Sequence, residues 1–210
     1  MNNRIRHLVS LTAASAALVL SAHAAPLSFD FKDPKGVNNV QFSLDAPLES
    51  ITGTATGISG TVSFDPANPA ATTGKIVLAA SSLTVGNSMM KDHLHSAGWL
   101  DVATYPEIVF EAKRMANVKT KGDVTTADLS GALTLHGVTK DITIPVSLTY
   151  LPGKLGARVN KPDLAGDLLV IRADFAVNRS DYGIKAGQMT DKVAEEIHLK
   201  LSIAGAAPKA

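Results

Sequence analysis

The most constraining feature of this chain is an alternation of apolar and polar residues with period two, repeated from Val37 almost to the C-terminus. Val40, Phe42 and Leu44 oppose Gln41, Ser43 and Asp45. Ile58, Gly60, Val62 and Phe64 oppose Ser59, Thr61, Ser63 and Asp65. The same pattern runs through Ile76–Ala80, Ile108–Ala112, Leu129–Leu135, Ile142–Tyr150, Leu169–Val177 and Val193–Ile203. Successive side chains of a strand point to opposite faces, so each segment has one apolar face and one wet face. Asp65-Pro66, Lys121-Gly122-Asp123, His136-Gly137 and Leu151-Pro152-Gly153 punctuate the runs with turn chemistry. Roughly eight to ten antiparallel strands of this kind build a sandwich or an up-and-down barrel. Gly53, Gly57, Gly60 and Gly131 lie inside strand patterns, where a barrel wall bends or another group comes close. No fixed repeat period is present, which weighs against a propeller. The segment Ala204–Ala210 reads as a frayed tail.

An eight-stranded barrel either fills its interior with side chains or holds one small ligand. The inward set here is aliphatic, with few aromatic rings to take up space, and this favours a cavity. The cavity wall would include Phe110 and Phe175.

The N-terminus reads as an export signal. Arg4, Arg6 and His7 precede the apolar run Leu8–Leu20, and Ala22-His23-Ala24 supplies the small residues of a cleavage site. Residues 1–24 are thus expected to be a secretory signal peptide, leaving one exported domain over 25–210. The apolar run is too short for a bilayer-spanning helix, which needs roughly 20 residues. Removal of Arg4 and Arg6 leaves 18 basic and 19 acidic side chains, a net charge near −1. No basic stripe survives, which argues against nucleic acid and against adsorption to anionic lipid. No second apolar run reaches membrane length, so no stable insertion is expected. There is no Cys, so an exported chain of this length relies on its core rather than on disulfides.

One stretch breaks the strand pattern: Ser88–Phe110, which holds the single Trp and two of the six His. Ser88 is a candidate N-cap. Met90, Leu94 and Ala97 fall on one helical stripe, and Gly98 suits a left-handed helix end. Trp99 and Leu100 would then turn back onto the barrel, and Tyr105-Pro106 restarts an extended chain.

Three motifs carry a family resemblance. The first is His93-Leu94, Ser96, Trp99–Val102 and Tyr105-Pro106-x-Ile108-x-Phe110. The second is Gly131-x-Leu133-Thr134-x-x-Gly137-Val138-Thr139-Lys140. The third is Arg179-Ser180-Asp181-Tyr182-Gly183-Ile184. In this order and spacing the chain resembles the YceI-like, polyisoprenoid-binding family of bacterial periplasmic proteins. The resemblance implies an all-β fold, an extended antiparallel lipocalin-like β-barrel of about eight strands with a short helix and loop near residues 88–98. It also implies an elongated apolar pocket, a long-chain isoprenoid or fatty ligand such as a polyisoprenoid or isoprenoid quinone, and no catalysis. No cofactor other than that lipid is expected. A homodimer is left open. The chain departs from the family at Met90-Lys91, where relatives carry a charged pair ahead of the His-Leu; thioether chains adapt to bulky apolar ligands.

The candidate ligand contacts are Met90, Leu94, Trp99, Leu100, Phe110, Phe175, Arg179, Asp181 and Tyr182. Each also has a structural reading. Trp99 can stack on a ligand or anchor the helix. Met90 and Leu94 can line a cavity or pack on strands. Arg179 and Asp181 can form a polar patch at the mouth or an internal ion pair that fixes the turn before Gly183. His93 and His95 are two apart on a helix and diverge, so they do not share a metal; a zinc site needs three or four converging ligands. His93 is expected to bond a backbone carbonyl instead. The chain contains no G-x-S-x-G elbow, phosphate loop, H-E-x-x-H or nucleophilic Cys. Against a lipid carrier stands a non-catalytic interaction module with a filled barrel, partner to a membrane redox protein. Cavity volume separates the two.

Overall fold

Residues 25–209 are described by a computed structural model; the expected signal peptide, 1–24, lies outside them. Their strands are β1 (Leu27–Asp30), β2 (Asn39–Asp45), β3 (Ser50–Ala55), β4 (Ile58–Phe64), β5 (Thr73–Ala79), β6 (Thr84–Val85), β7 (Glu107–Lys121), β8 (Val124–Leu135), β9 (Val138–Leu151), β10 (Gly166–Asn178) and β11 (Glu196–Pro208). Helix α1 (Ser88–His95) lies between β6 and β7, and α2 (Leu155–Val159) between β9 and β10.

Three pairs of short strands act as three long bent ones. Strands β1 and β2 lie along the same edge of β11, with Asp30 opposite Ala206 and Asn39 opposite Ser202. Strand β3 pairs with β2 and β4 with β1; β6 pairs with β3 and β5 with β4. Counted this way, the strands close an eight-stranded antiparallel up-and-down barrel, in which each strand neighbours the next in sequence. Closure pairs both edges of most strands, and among the described residues the short β6, which pairs with β3 alone, is left at the sheet's edge.

Asn38 makes the closing joint. It is 2% exposed. Its Nδ2 donates to Phe31 O and Ala204 O, both at 3.1 Å, and its Oδ1 accepts from Ala204 N at 2.8 Å and Arg158 Nη2 at 3.2 Å. Where β1 breaks from the ladder, one side chain therefore satisfies the backbone groups that a strand residue would have satisfied.

The inward faces are those of the sequence alternation. Phe42, Leu44, Ile58, Val62, Phe64, Leu133, Ile144, Val146, Leu148, Ile171 and Ile203 are all buried. Two corrections concern the ends. The strands begin at Leu27, ahead of Val37, and Phe29 and Phe31 are fully buried. The segment 204–208 is not frayed: it belongs to β11, pairs with Gly166–Val170 of β10, and buries Ala204 and Ala207. Its small residues leave room for neighbours, since a Cβ on Gly205 would lie 2.6 Å from the Phe31 ring.

The barrel has two different ends. At one end lie α1, the β2–β3 turn, the His136-Gly137 turn and the β10–β11 loop. At the other, Phe29, Phe64 and Tyr150 form a triangle of rings with centroids 6.0 to 6.5 Å apart. Just beyond it, the fully buried Asp167 carboxylate accepts from Tyr150 Oη at 2.7 Å, Gly153 N at 2.9 Å and Lys209 Nζ at 2.9 Å. This far end is closed by aromatic packing and by one satisfied buried charge.

Candidate functional site: a lined barrel cavity

The open end leads into a cavity of about 480 Å³. Its wall comes from the inward faces of almost every strand, for example Val40, Ile76, Ile108, Leu133, Ile144 and Leu199. It reaches down the barrel to the level of Thr72, Met115 and Ile203. Thr72 presents no free donor there, because its hydroxyl bonds Pro69 O at 2.6 Å. A space this size lined by aliphatic groups is unfavourable for water, which needs two to four polar partners per molecule.

Helix α1 and the loop after it form the lid. The N-cap is Asn87 rather than Ser88: its Oδ1 accepts from Met90 N at 3.1 Å. The helix stops at His95, and Gly98 does not end it. Ser96 caps it instead, with its N–H and its hydroxyl both directed at His93 O. The chain then folds back through Leu100 N to Leu94 O, Asp101 N to Ser96 O and Val102 N to His95 O, and Asp101 takes a left-handed φ of 44°. This reversal turns Trp99 and Leu100 toward the cavity. Ala97, expected on the apolar stripe, is exposed beyond the helix end.

The structure brings together Met90, Leu94, Trp99, Leu100, Phe110, Phe175 and Arg179, all lining the one cavity. Asp181 and Tyr182 are not among its lining residues. Asp181 is exposed on the outside of the turn. Tyr182 is 1% exposed and packed in the core, with its carbonyl facing His136 Nδ1 at 3.1 Å. Burial, and then the Asp181 charge, push its phenol above the ordinary range.

Arg179 does not pair with Asp181. Its side chain is 1% exposed, and its partner is Glu195, with Nη2 2.9 Å from Oε1. The guanidinium also donates to the carbonyls of Ala194, Ile184, Lys185, Gln188 and Val193. One planar fork thus organises the whole β10–β11 loop, a task suited to five fixed donors. The loop needs such a core because Lys185, Gly187 and Met189 all adopt positive φ and form no regular ladder.

The histidine expectation is reversed. His95 bonds a backbone carbonyl, with Nε2 2.8 Å from Leu83 O, whereas His93 is exposed at the cavity mouth. Glu49, Met189 and Lys192 complete that mouth. Sequence reasoning passed over these three, Glu49, Met189 and Lys192, which lie in turns without periodic pattern. Lys185 Nζ stands 5.9 Å from the Trp99 ring centroid and holds the indole from outside.

Two of the four glycines noted in the strand patterns, Gly53 and Gly131, make space for the aromatic wall, while Gly57 and Gly60 face Ser82 and the Lys75 backbone. Gly53 sits opposite Phe42 in register, and a Cβ there would lie 2.2 Å from the ring. Gly131 pairs in register with Ala112, and a Cβ there would lie 2.4 Å from the Phe110 ring. Both rings lie along the wall over a neighbouring glycine.

Comparison with known proteins agrees with this geometry. The chain matches the YceI-like domain over residues 31–204. It is 31% identical to Protein YceI of Escherichia coli over 207 residues, which span 97% of this chain and 99% of that protein. It is 34% identical to a UPF0312 protein of Pseudomonas savastanoi over 159 residues, 76% of this chain and 75% of that protein. Among solved structures, BcnA of Burkholderia cenocepacia superposes with a TM-score of 0.65 at 21% identity, covering 80% of this chain and 95% of that one. A polyisoprenoid binding domain from Saccharophagus degradans superposes with a TM-score of 0.62 at 14% identity, covering 87% and 99%. The barrel, the lid and the match over most of the chain together establish that this protein belongs to the YceI-like domain family.

Proposed function

We propose that this protein is a non-catalytic binding protein of the periplasm that holds one long-chain amphiphile, an isoprenoid or fatty lipid, with its tail along the barrel axis. The observation that carries this reading is the 480 Å³ aliphatic cavity closed at one end and open at the other. At ~25 Å³ per carbon, the scale of a ~150 Å³ cavity that takes up benzene, that space accommodates ~19 carbons, or about four isoprene units. Burying them yields ~15 kcal/mol gross at ~0.8 kcal/mol per carbon. Immobilisation costs ~4–15 kcal/mol, so micromolar binding, near −8 kcal/mol, is within reach without a head-group contact.

Two further observations support the reading. The ionisable groups lining the cavity are Glu49, His93, Arg179 and Lys192, and Arg179 is already committed to its loop. The similar Saccharophagus degradans domain is named for polyisoprenoid binding. The filled-barrel alternative is disfavoured by the volume itself. Direct titration of the lipid-stripped protein with a fluorescent prenyl probe tests the proposal. Saturable uptake of about one probe per barrel is expected; absence of uptake would overturn it.

A further inference from the structure

We propose that the cavity mouth is also a docking surface for the face of a lipid bilayer, on which the barrel loads and unloads. The inference rests on the proposed function above, because a tail of that length cannot cross water cheaply. Its observation is separate: the most exposed large apolar side chains in the described structure are Met89 at 68%, Leu48 at 67%, Val37 at 54% and Met189 at 48%. Three of these four crown the mouth.

Their placement follows from the topology. Strands β11, β2, β3 and β6 are consecutive in the sheet. The segments at their ends are therefore consecutive on the rim: the β10–β11 loop with Met189, the β2–β3 turn with Leu48, and α1 with Met89. A backbone bond from Leu48 N to Asp191 O at 2.9 Å ties the first two together. Met89 points outward while its neighbour Met90 lines the cavity. The apolar crown is thus continuous with the apolar interior across a single residue.

The rim charges favour a bilayer interface over a charged partner. Lys91, Lys185 and Lys192 are interspersed with Glu49, Asp92, Asp181 and Asp191 on the same segments. Both signs are present on these segments, so the surface suits zwitterionic head groups. Attachment should come from apolar side chains entering the head-group boundary, and should depend little on salt. Trp99, the sole indole, sits at this mouth as a built-in reporter.

The experiment uses lipid-stripped protein and vesicles of phosphatidylethanolamine and phosphatidylcholine with bromine-labelled chains. Co-sedimentation is compared for the wild type, for the rim variant Leu48→Glu/Met89→Glu, whose two residues are outside the cavity lining, and for the far-end control Val124→Glu/Leu164→Glu. The wild type and the control should pellet alike, with Trp99 quenched in the pellet and little change on raising the salt. The rim variant should lose about tenfold or more in partitioning while keeping its prenyl-probe uptake. The proposal falls if the wild type stays in the supernatant, if Trp99 of the pelleted protein is not quenched, or if the control loses as much as the rim variant. A wild type that takes up probe but ignores vesicles sinks docking alone; one that docks but takes up no probe sinks the binding function alone.

Discussion

At the scale of single residues, Arg179 and Asp167 anchor opposite ends of the barrel. Arg179→Ala removes a donor from the Glu195 carboxylate and from five loop carbonyls, of which Glu195 Oε1 keeps only Gly187 N and Lys185 O only Gln188 N. It should destabilise the fold by about 3–5 kcal/mol in urea unfolding, and Arg179→Lys should recover only part, since an ammonium cannot reproduce the fork. At the far end, burial pushes the Asp167 carboxyl up. The hydrogen bonds from Gly153, Lys209 and Tyr150 and the Lys209 charge outweigh it and hold the group below the usual carboxylate range. Asp33 is held down too, by N–H donors from Asn38, Lys35 and Val37 against its own burial. A depressed carboxyl stabilises the fold above its unfolded value, about 3.9, and that stability is lost as pH falls through the folded value. Tyr150 has the opposite sign: burial first, then the Asp167 hydrogen bond and charge, push it up to about 12. Its contribution is complete below its unfolded value of about 10 and is lost as pH rises toward the folded one. Denaturation midpoints should therefore fall in acid and again in strong base. Asp167→Asn should weaken the acid limb and Tyr150→Phe the alkaline limb.

At the scale of elements, alternation made most of the wall legible, because period two reports directly which side chains face inward. It missed β1, where Leu27, Phe29 and Phe31 alternate over too few residues, next to Asp33-Pro34, to stand out as a run. It misjudged the end of β11 because Ala and Gly carry little hydrophobic signal, although they are what fits beside Phe31 and β10. The lid was legible as a helix followed by a reversal. Its caps shifted by a residue or two, because Asn87 competes with Ser88 as N-cap and because Asp101, not Gly98, supplies the left-handed turn. The partners of Arg179 had no signal at all: five are backbone carbonyls, which no side-chain pattern encodes. The glycine–aromatic pairing gives an element-level prediction. Gly53→Ala should cost about 1–3 kcal/mol by overpacking, and Phe42→Leu in the same chain should recover much of it. Thermal unfolding of the single and double variants measures this coupling.

At the scale of the whole molecule, a closed barrel gives a rigid shell around a space that its own side chains do not fill. Most buried cores lose stability when a side chain is enlarged; a cavity wall need not. Leu133→Trp with Val146→Phe directs bulk into the cavity, since both positions line it. This variant should keep or raise its urea midpoint while losing most of its probe uptake, which separates holding the fold from holding a ligand. A variant that unfolded as readily as a core-disrupted one would mean that the space is needed for the fold itself. The most direct test of the central claim needs no variant. Protein purified from its native compartment is extracted with organic solvent, and the extract is analysed by mass spectrometry alongside native mass spectrometry of the intact barrel. The account predicts a long-chain amphiphile, isoprenoid or fatty, at about one per barrel, with a tail on the order of 20 carbons in the cavity. Recovery of no lipid, from a stripped protein that also fails to take up prenyl ligands, would contradict it.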